Sequence, residues 1–337
     1  MSAIADVARL AGVSKSTASR ALSGHGYVSE KTRSRVVDAA AEIGYVASSN
    51  AASLVTGRSR NVGVIIPFID RWFFAEVLEG IEEALIHAGY DLTLYRLSAD
   101  EEKRRRIFEY FLVRKRVDAV ITIGISLTDD EVVRLHTLGK PMVGISGEVE
   151  GIAQLSIDNL TTARFATEHL ISLGHRRIMH LGGDSDEQLS FRVHAERLAG
   201  VRAALDDAGL SHEDDFRDVP YTIQGGFAGA LSALSDPSRR PTGIVAGCDE
   251  IAIGAIVAAR QLGIQVPAQL SVIGIDGHSL AEMFGLTTLE QFPSRQGASA
   301  VELILRDLAG IPREIVHEKV VVPTTLTVRT STTAPPR

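Results

Sequence analysis

Residues 12–24 read GVSKSTASRALSG, a run of small and hydroxylated side chains with two cations inside an acidic chain. At 3.6 residues per turn, Ala18, Ala21 and Leu22 fall on one helix face with Thr17 at its margin, and Lys15, Ser16, Ser19 and Arg20 fall on the opposite one. Taken alone, this is a short amphipathic surface helix with solvated cations. The residues before it change the reading. Ile4, Val7, Ala8 and Ala11 recur at helical spacing, and only Gly12, Val13 and Ser14 separate them from Lys15. Gly12 suits a left-handed helix end, Val13 can enter a small core, and Ser14 can cap the second helix. Two short helices joined this way are the helix-turn-helix pattern, whose second helix enters a major groove. A third helical pattern, Glu30 to Ile43 with Ser29 as its cap, offers Val36, Val37, Ala40 and Ile43 to close a three-helix core.

Charge supports a division of labour. The 337-residue chain has a formal net charge of −7, yet residues 1–60 hold eight Lys and Arg against four Asp and Glu. A basic head therefore sits on an acidic body, the footprint expected of a nucleic-acid-binding segment. Hydrophobic residues at 45% suffice for large cores, and the length suggests two or three folding units. No apolar run approaches the roughly 20 residues needed to span a bilayer. The amino terminus carries Asp6 and Arg9 rather than an export pattern, so a cytoplasmic protein with no membrane partner is expected. The single cysteine, Cys248, excludes an intramolecular disulfide framework and any cysteine-rich zinc site.

After Tyr45 the chain is small, polar and weakly helical to about Asn61, reading as a linker that orders on binding. From there short apolar strands (VGVIIP, YDLTLY, DAVITIG, PMVGIS) alternate with helical stretches near 73–88, 101–114 and 129–138. A second set follows, RRIMHLGG, PTGIVAG and SVIGID, with helices near 197–208, 225–234 and 250–262. Such alternation implies α/β architecture with parallel sheets and right-handed crossovers. Two such units in succession suggest two lobes with a cleft, and ligands bind beyond the carboxyl ends of the strands. Phe68, Asp70, Asp249 and Asp276 all lie just after expected strands.

The sequence resembles the LacI/GalR family of bacterial transcription regulators over essentially its whole length. The ordered set IADVARLAGVSKSTASRALSG, VSEKTRSRV, IGYVASSNAASLVTGRSRNVGVIIP, FFAEVLEGIEEAL, ATEHLISLGHRRIMHLGG, CDEIAIGAI, VPAQLSVIGID and GLTTLEQF carries the resemblance. It implies a helix-turn-helix head (1–47), a hinge helix and linker (48–60), and a two-lobed periplasmic-binding-protein-like core. The first lobe would take 61–161 plus 293–320, the second 162–292 plus 321–337. By position, Lys15, Ser16 and Arg20 would read bases and Thr17 and Ser19 would contact phosphate. An ammonium on a flexible stem bonds either, so both roles stay open for Lys15. Leu54 would wedge into the minor groove of double-stranded operator DNA, with Ala51 packing hinge against hinge in a homodimer. Val46, Ala47 and Ser48 stand where the family commonly has a proline-containing tripeptide, which removes a rigid approach to the hinge.

For the effector, the resemblance implies a small molecule, a sugar or sugar derivative, bound between the lobes. Phe73 would stack on it, and Asp158, Arg197 and Asp276 would be polar clamps, each with an alternative as an ion-pair partner or helix cap. Arg71 and Trp72 replace the family's usual asparagine and proline, leaving Trp72 either a ligand contact or a lobe-closing residue. Asp249 heads a helix and is expected to cap it. Cys248 stands where sugar-binding members often carry asparagine. Arg192, if it points inward, would give the pocket a second guanidinium and favour a phosphorylated or acidic ligand. Enzyme patterns are weak: LGGDSD lacks the full glycine fingerprint, the histidines are off any zinc spacing, and no serine sits in a nucleophile elbow. No cofactor, metal or catalytic residue is therefore expected. The expected function is a ligand-responsive repressor of sugar uptake or catabolism genes, against the alternatives of a transport-associated sugar-binding protein or a sugar-metabolising enzyme.

Overall fold

The computed structural model describes residues 3–23, 26–45, 58–97, 100–114, 117–147, 149, 151–183, 191–210, 215–311 and 319–336. Among these the chain divides into two units, one running to Asn61 and including Asp118, the other holding the rest.

In the first unit, α1 (Ile4–Leu10), α2 (Lys15–Ser23) and α3 (Glu30–Glu42) enclose Val7, Ala8, Ala11, Ala18, Ala21, Val36, Ala39 and Ala40. The inward face is almost entirely alanine and valine, so the helices approach closely around a small core. Gly12 takes φ +63° at the turn. Val13 packs against the core, and Ser14 Oγ accepts from the Thr17 N–H at 3.1 Å. Ser29 caps α3 through the Thr32 N–H. Val37 does not join the core: the phase that buries Val36, Ala39 and Ala40 leaves it 47% exposed. The end of the linker is fixed at Asp118, whose carboxylate accepts from the Ser59 N–H (2.9 Å), the Ser59 hydroxyl (3.0 Å) and the Arg60 N–H (2.8 Å).

The second unit contains two six-stranded sheets. The first lobe holds β1 (Asn61–Ile66), α4 (Trp72–His87), β2 (Asp91–Arg96), α5 (Glu101–Arg114), β3 (Ala119–Ile123), α6 (Asp129–Thr137), β4 (Met142–Ile145) and β5 (Ala153–Ser156). The second lobe takes α7 (Asn159–Ser172), β6 (Ile178–Leu181), α8 (Phe191–Asp207), β7 (Phe216–Arg217), α9 (Ile223–Leu234), β8 (Gly243–Ala246), α10 (Asp249–Gln261), β9 (Ser271–Asp276) and β10 (Thr287–Glu290). The chain then returns with α11 (Pro293–Leu308), which packs on α4, and with β11 (Lys319–Val321) beside β5. It ends in β12 (Thr325–Thr327) beside β10, so the backbone passes between the lobes three times.

Strand order is β11-β5-β4-β3-β1-β2 in one sheet and β12-β10-β9-β8-β6-β7 in the other. The pairs β1–β3, β3–β4, β4–β5, β5–β11, β6–β7, β6–β8, β8–β9 and β9–β10 are parallel, and β10 with β12 is antiparallel. Central strands such as GIVA and SVIGID are buried along their whole length. Both faces carry helices: Ile244, Ala246 and Val272 enter one core cluster, and Val245, Ile273 and Ile275 another. That sandwich aligns the strands' carboxyl ends, where the irregular residues gather. No helix among the described residues is long and apolar enough to cross a membrane.

Candidate functional site

Two surfaces carry chemistry. On the first unit, α2 presents Lys15, Ser16 and Arg20 fully outward, with Thr17 and Ser19 half-buried. Burial of Ala18 and Ala21 fixes this rotation, so the greasy edge of the helix selects the polar edge that faces out. Ser14 Oγ lies 2.8 Å from Ser16 Oγ and 2.9 Å from Thr17 Oγ1, tying the first turn to its cap. Arg20 Nε donates to the Ser16 carbonyl at 3.2 Å, and Arg33 Nη1 donates to the Ala21 carbonyl at 3.0 Å, holding α3 against the end of α2. Leu54 and Ala51 lie outside the described residues.

The second surface is a cleft of about 630 Å³ between the lobes. The first lobe contributes Arg71, Phe73, Phe74, Gly124 and Ser146, from segments that follow β1, β3 and β4. Facing them are Asn159, Val193, His194, Arg197, Tyr221, Cys248, Glu250, Asp276 and Gln291. Four non-glycine residues among those described have positive φ, and two of them, Ser146 (+51°) and Asp276 (+142°), line this cleft. Such conformations cost about 1–3 kcal/mol each and persist where the surroundings over-determine them. Gly124, at φ +55°, is needed for a second reason, since a Cβ there would stand 2.7 Å from the Phe74 ring.

Arg197 is 5% exposed; its Nε donates to Asn159 Oδ1 at 3.0 Å and its Nη1 to the Gly247 carbonyl. Asp276, also 5% exposed, accepts from Gln291 Nε2, and Gln296 in turn donates to the Gln291 carbonyl at 2.7 Å. Burial pushes the Asp276 carboxyl up; Arg197 beside it opposes the rise and the Asp249 carboxylate adds to it. Burial likewise raises Glu250, opposed by the Arg71 charge and the Trp72 N–H, and keeps the Cys248 thiol protonated. His194 is held down to about 4, first by burial and then by Arg197, and its buried Nδ1 has no hydrogen-bond partner.

The structure places Phe73, Arg197 and Asp276 in the wall of one cleft, and Phe74 packs into the lobe core beside them. Three other residues stand elsewhere. Asp158 is exposed and caps α7, accepting from the Thr161 N–H (2.9 Å) and hydroxyl (2.8 Å); the next residue, Asn159, reaches the cleft instead. Arg192 is exposed and pairs with Glu196 at 2.7 Å, so it is not the second guanidinium. That position belongs to Arg71, 9% exposed, whose guanidinium lies 3.6 Å above the Phe68 ring. Trp72 is not in the pocket wall: it stacks on His278 of the other lobe, centroids 4.6 Å apart at 25°.

Asp249 also departs from expectation. Although it opens α10, its carboxylate accepts from the Gly277 N–H (2.9 Å), the His278 N–H (2.8 Å) and the Thr288 hydroxyl (2.7 Å). It thus braces the turn that carries Asp276 rather than capping its own helix. Gly274 makes this possible, since a Cβ there would lie within contact of the Asp249 carboxylate. The roles of Asn159, Gln291 and Asp249 left no signal in the sequence, because each depends on which strand ends meet.

A basic helix-turn-helix head and a two-lobed ligand core define a ligand-responsive DNA-binding regulator. Residues 3–48 match the model for bacterial regulatory proteins of the lacI family, and 167–332 match the periplasmic binding protein-like domain. The chain is 32% identical over 329 residues to the HTH-type transcriptional repressor PurR of Vibrio campbellii, covering 95% of this chain and 94% of that protein. It is 32% identical over 309 residues to catabolite control protein A of Priestia megaterium, covering 90% and 91%. Among solved structures, the lac repressor dimer bound to operator and the anti-inducer ONPF superposes with a TM-score of 0.85 at 25% identity, covering 99% of both chains. The transcriptional regulator CelR in complex with cellobiose gives 0.71 at 28%, covering 98% and 100%. The chain belongs to the lacI family of transcriptional regulators, which is not a family of enzymes.

Proposed function

We propose that this regulator is a homodimeric repressor of sugar uptake or catabolism genes that binds a pseudo-palindromic operator and releases it when a small carbohydrate-like effector occupies the cleft. The cleft carries this reading. Phe73 supplies a flat apolar face, while Asp276, Gln291, Asn159 and Arg197 supply acceptors and donors suited to a rim of hydroxyls. Lys15, Ser16 and Arg20 read the operator half-site, Thr17 and Ser19 contact its backbone, and Leu54 enters the minor groove between paired hinges. Similarity to a repressor solved as a dimer on its operator supports the two-fold arrangement. Similarity to a regulator solved with cellobiose supports the ligand class. Closure of the lobes around the effector shifts the segments that lead to the hinges, and operator affinity falls.

Fluorescence anisotropy of the full-length protein on its own upstream DNA, with and without a panel of sugars and sugar derivatives, tests this directly. Salt-dependent, sequence-selective binding that a panel member weakens is expected. A ligand that tightens the complex would reverse the sign of regulation. Absence of DNA binding at low salt would defeat the reading.

A further inference from the structure

Asp118 is 4% exposed, and among the described residues every donor to its carboxylate comes from the end of the linker. Oδ1 accepts from the Ser59 N–H at 2.9 Å and from the Ser59 hydroxyl at 3.0 Å, and Oδ2 accepts from the Arg60 N–H at 2.8 Å. Two successive N–H groups aim at one anion only where the backbone curls, and Arg60 supplies the curl with φ +49°. Successive amides of this kind form a concavity that holds an anion. Here the anion belongs to the chain itself. A left-handed residue other than glycine persists where its surroundings over-determine it, and the Arg60 bond to Asp118 is such a constraint.

The clamp continues directly into two strands. The Asp118 N–H donates to the Asn61 carbonyl at 2.8 Å, and beyond it β1 and β3 run parallel in register, from Val62 beside Ala119 to Ile65 beside Thr122. Both strands are buried along almost their whole length. At their far ends β1 leads to Arg71 and Phe73 and β3 to Gly124, all in the cleft wall. The linker thus leaves the strands that frame the ligand space in a direction held by a side chain.

We propose that Asp118 is a positioning residue for operator recognition: by gripping Ser59 and Arg60 it fixes the direction in which the linker leaves β1, and so presents the hinge segment to the minor groove without touching DNA itself. The inference rests on the reading of this chain as a dimeric operator-binding regulator whose hinges enter the DNA. Two kinds of DNA binding then depend on the clamp unequally. The cations of the head attract any duplex, whereas the cognate complex needs recognition helices and hinges seated together, and seating them costs more when the linker's direction is free.

The test uses the full-length protein. Fluorescence anisotropy compares its own upstream DNA with a scrambled duplex of equal length, and hydrogen exchange read by mass spectrometry follows peptides that cover residues 58–62. Asp118→Asn keeps the size of the side chain but turns one oxygen into an NH2 that faces the linker's own N–H donors. It should weaken the upstream site by about 10-fold or more, leave the scrambled duplex within about 2-fold, and speed exchange at Ser59 and Arg60. Ser59→Ala removes one bond of the three, so a loss of about 2–3-fold confined to the upstream site is expected; this variant carries the test if the Asn protein does not fold. Wild-type affinity for the upstream site in Asp118→Asn overturns the proposal, with or without faster exchange. Equal losses on both duplexes also overturn it, since they mark damage to the head rather than a misdirected linker. If the wild-type protein itself does not distinguish its upstream DNA from the scrambled duplex, the regulator reading falls and the proposal falls with it.

Discussion

At the scale of single residues, the two surfaces should separate cleanly by mutation. Arg20→Ala is expected to remove sequence preference, costing about 1–3 kcal/mol on the cognate operator and little on random DNA. Lys15→Ala distinguishes the two roles open to that ammonium. A phosphate contact predicts equal weakening on all sequences and a salt slope reduced by about 1, whereas a base contact predicts loss at one operator position only. Arg197→Ala should spare DNA binding and abolish the ligand response, and equal operator loss in both arginine variants would contradict the assignment. A fourth residue bears on stability alone. His180 is fully buried on β6, donates from Nδ1 to the Val245 carbonyl (2.9 Å), and is held down to about 4 by burial. The unfolded chain takes up a proton at this imidazole near pH 6.5, while the folded chain resists until about 4. Its contribution is thus present above pH 6.5 and lost as pH falls through that window, about 3 kcal/mol in all. Asp249 and Asp276, both raised by burial, act in the opposite direction. The check is the difference in melting temperature between wild type and His180→Gln from pH 7.5 to 4.5; parallel curves would rule the effect out.

At the scale of elements, legibility followed apolar density. GVSKSTASRALSG could be read nearly completely because a helix, a glycine turn and a cap leave local signatures, and Gly12, Val13 and Ser14 take the roles their chemistry suggests. VGVIIP and SVIGID were visible as strands because burial on both faces demands unbroken apolar runs. AQLS and TTLE, the strands β5 and β10, were not, since five of their eight residues are polar, and in β10 those groups are satisfied by neighbours distant in sequence: the Thr287 N–H donates to Ser331 Oγ at 2.8 Å and the Thr288 hydroxyl to Asp249 Oδ1 at 2.7 Å. The helix α11 was missed for a related reason. It opens on PSRQGASA, small and polar, and those residues are small because α4 crosses there. A Cβ on Gly80 would meet the Ser294 carbonyl at 2.0 Å, and one on Gly297 the Val77 carbonyl at 2.2 Å. Gly80→Ala should therefore prise the two helices apart and lower the melting temperature despite alanine's better helix propensity, by which an exposed site would gain up to about 1 kcal/mol. A neutral or stabilising result in thermal denaturation would mean the crossing is looser than these distances require.

At the scale of the whole molecule, the question is what carries a signal from cleft to operator, and one inter-lobe contact outside the pocket wall bears on it. Trp72 stacks on His278 across the lobes, and the Trp72 backbone N–H donates to the Glu250 carboxylate, so Trp72 touches the second lobe at two points without itself lining the ligand space. The His278 N–H is in turn held by Asp249, which braces the Asp276 turn, so the same few residues support ligand contact and lobe contact. An aromatic stack of this kind contributes about 0.5–1.5 kcal/mol beyond its burial, equivalent to roughly a 2–12-fold bias toward the arrangement that makes it. Trp72→Ala should therefore weaken the effector by roughly that factor while every pocket side chain remains in place. Linkage requires that any change in the factor by which effector weakens operator appear equally in the factor by which operator weakens effector. The measurement is a four-cornered one, operator affinity with and without saturating effector and effector affinity with and without operator, for wild type and Trp72→Ala. An unchanged effector affinity in the variant would show that the lobes close without this stack, and the coupling would then have to run through the ligand's own bridge between the two lobes.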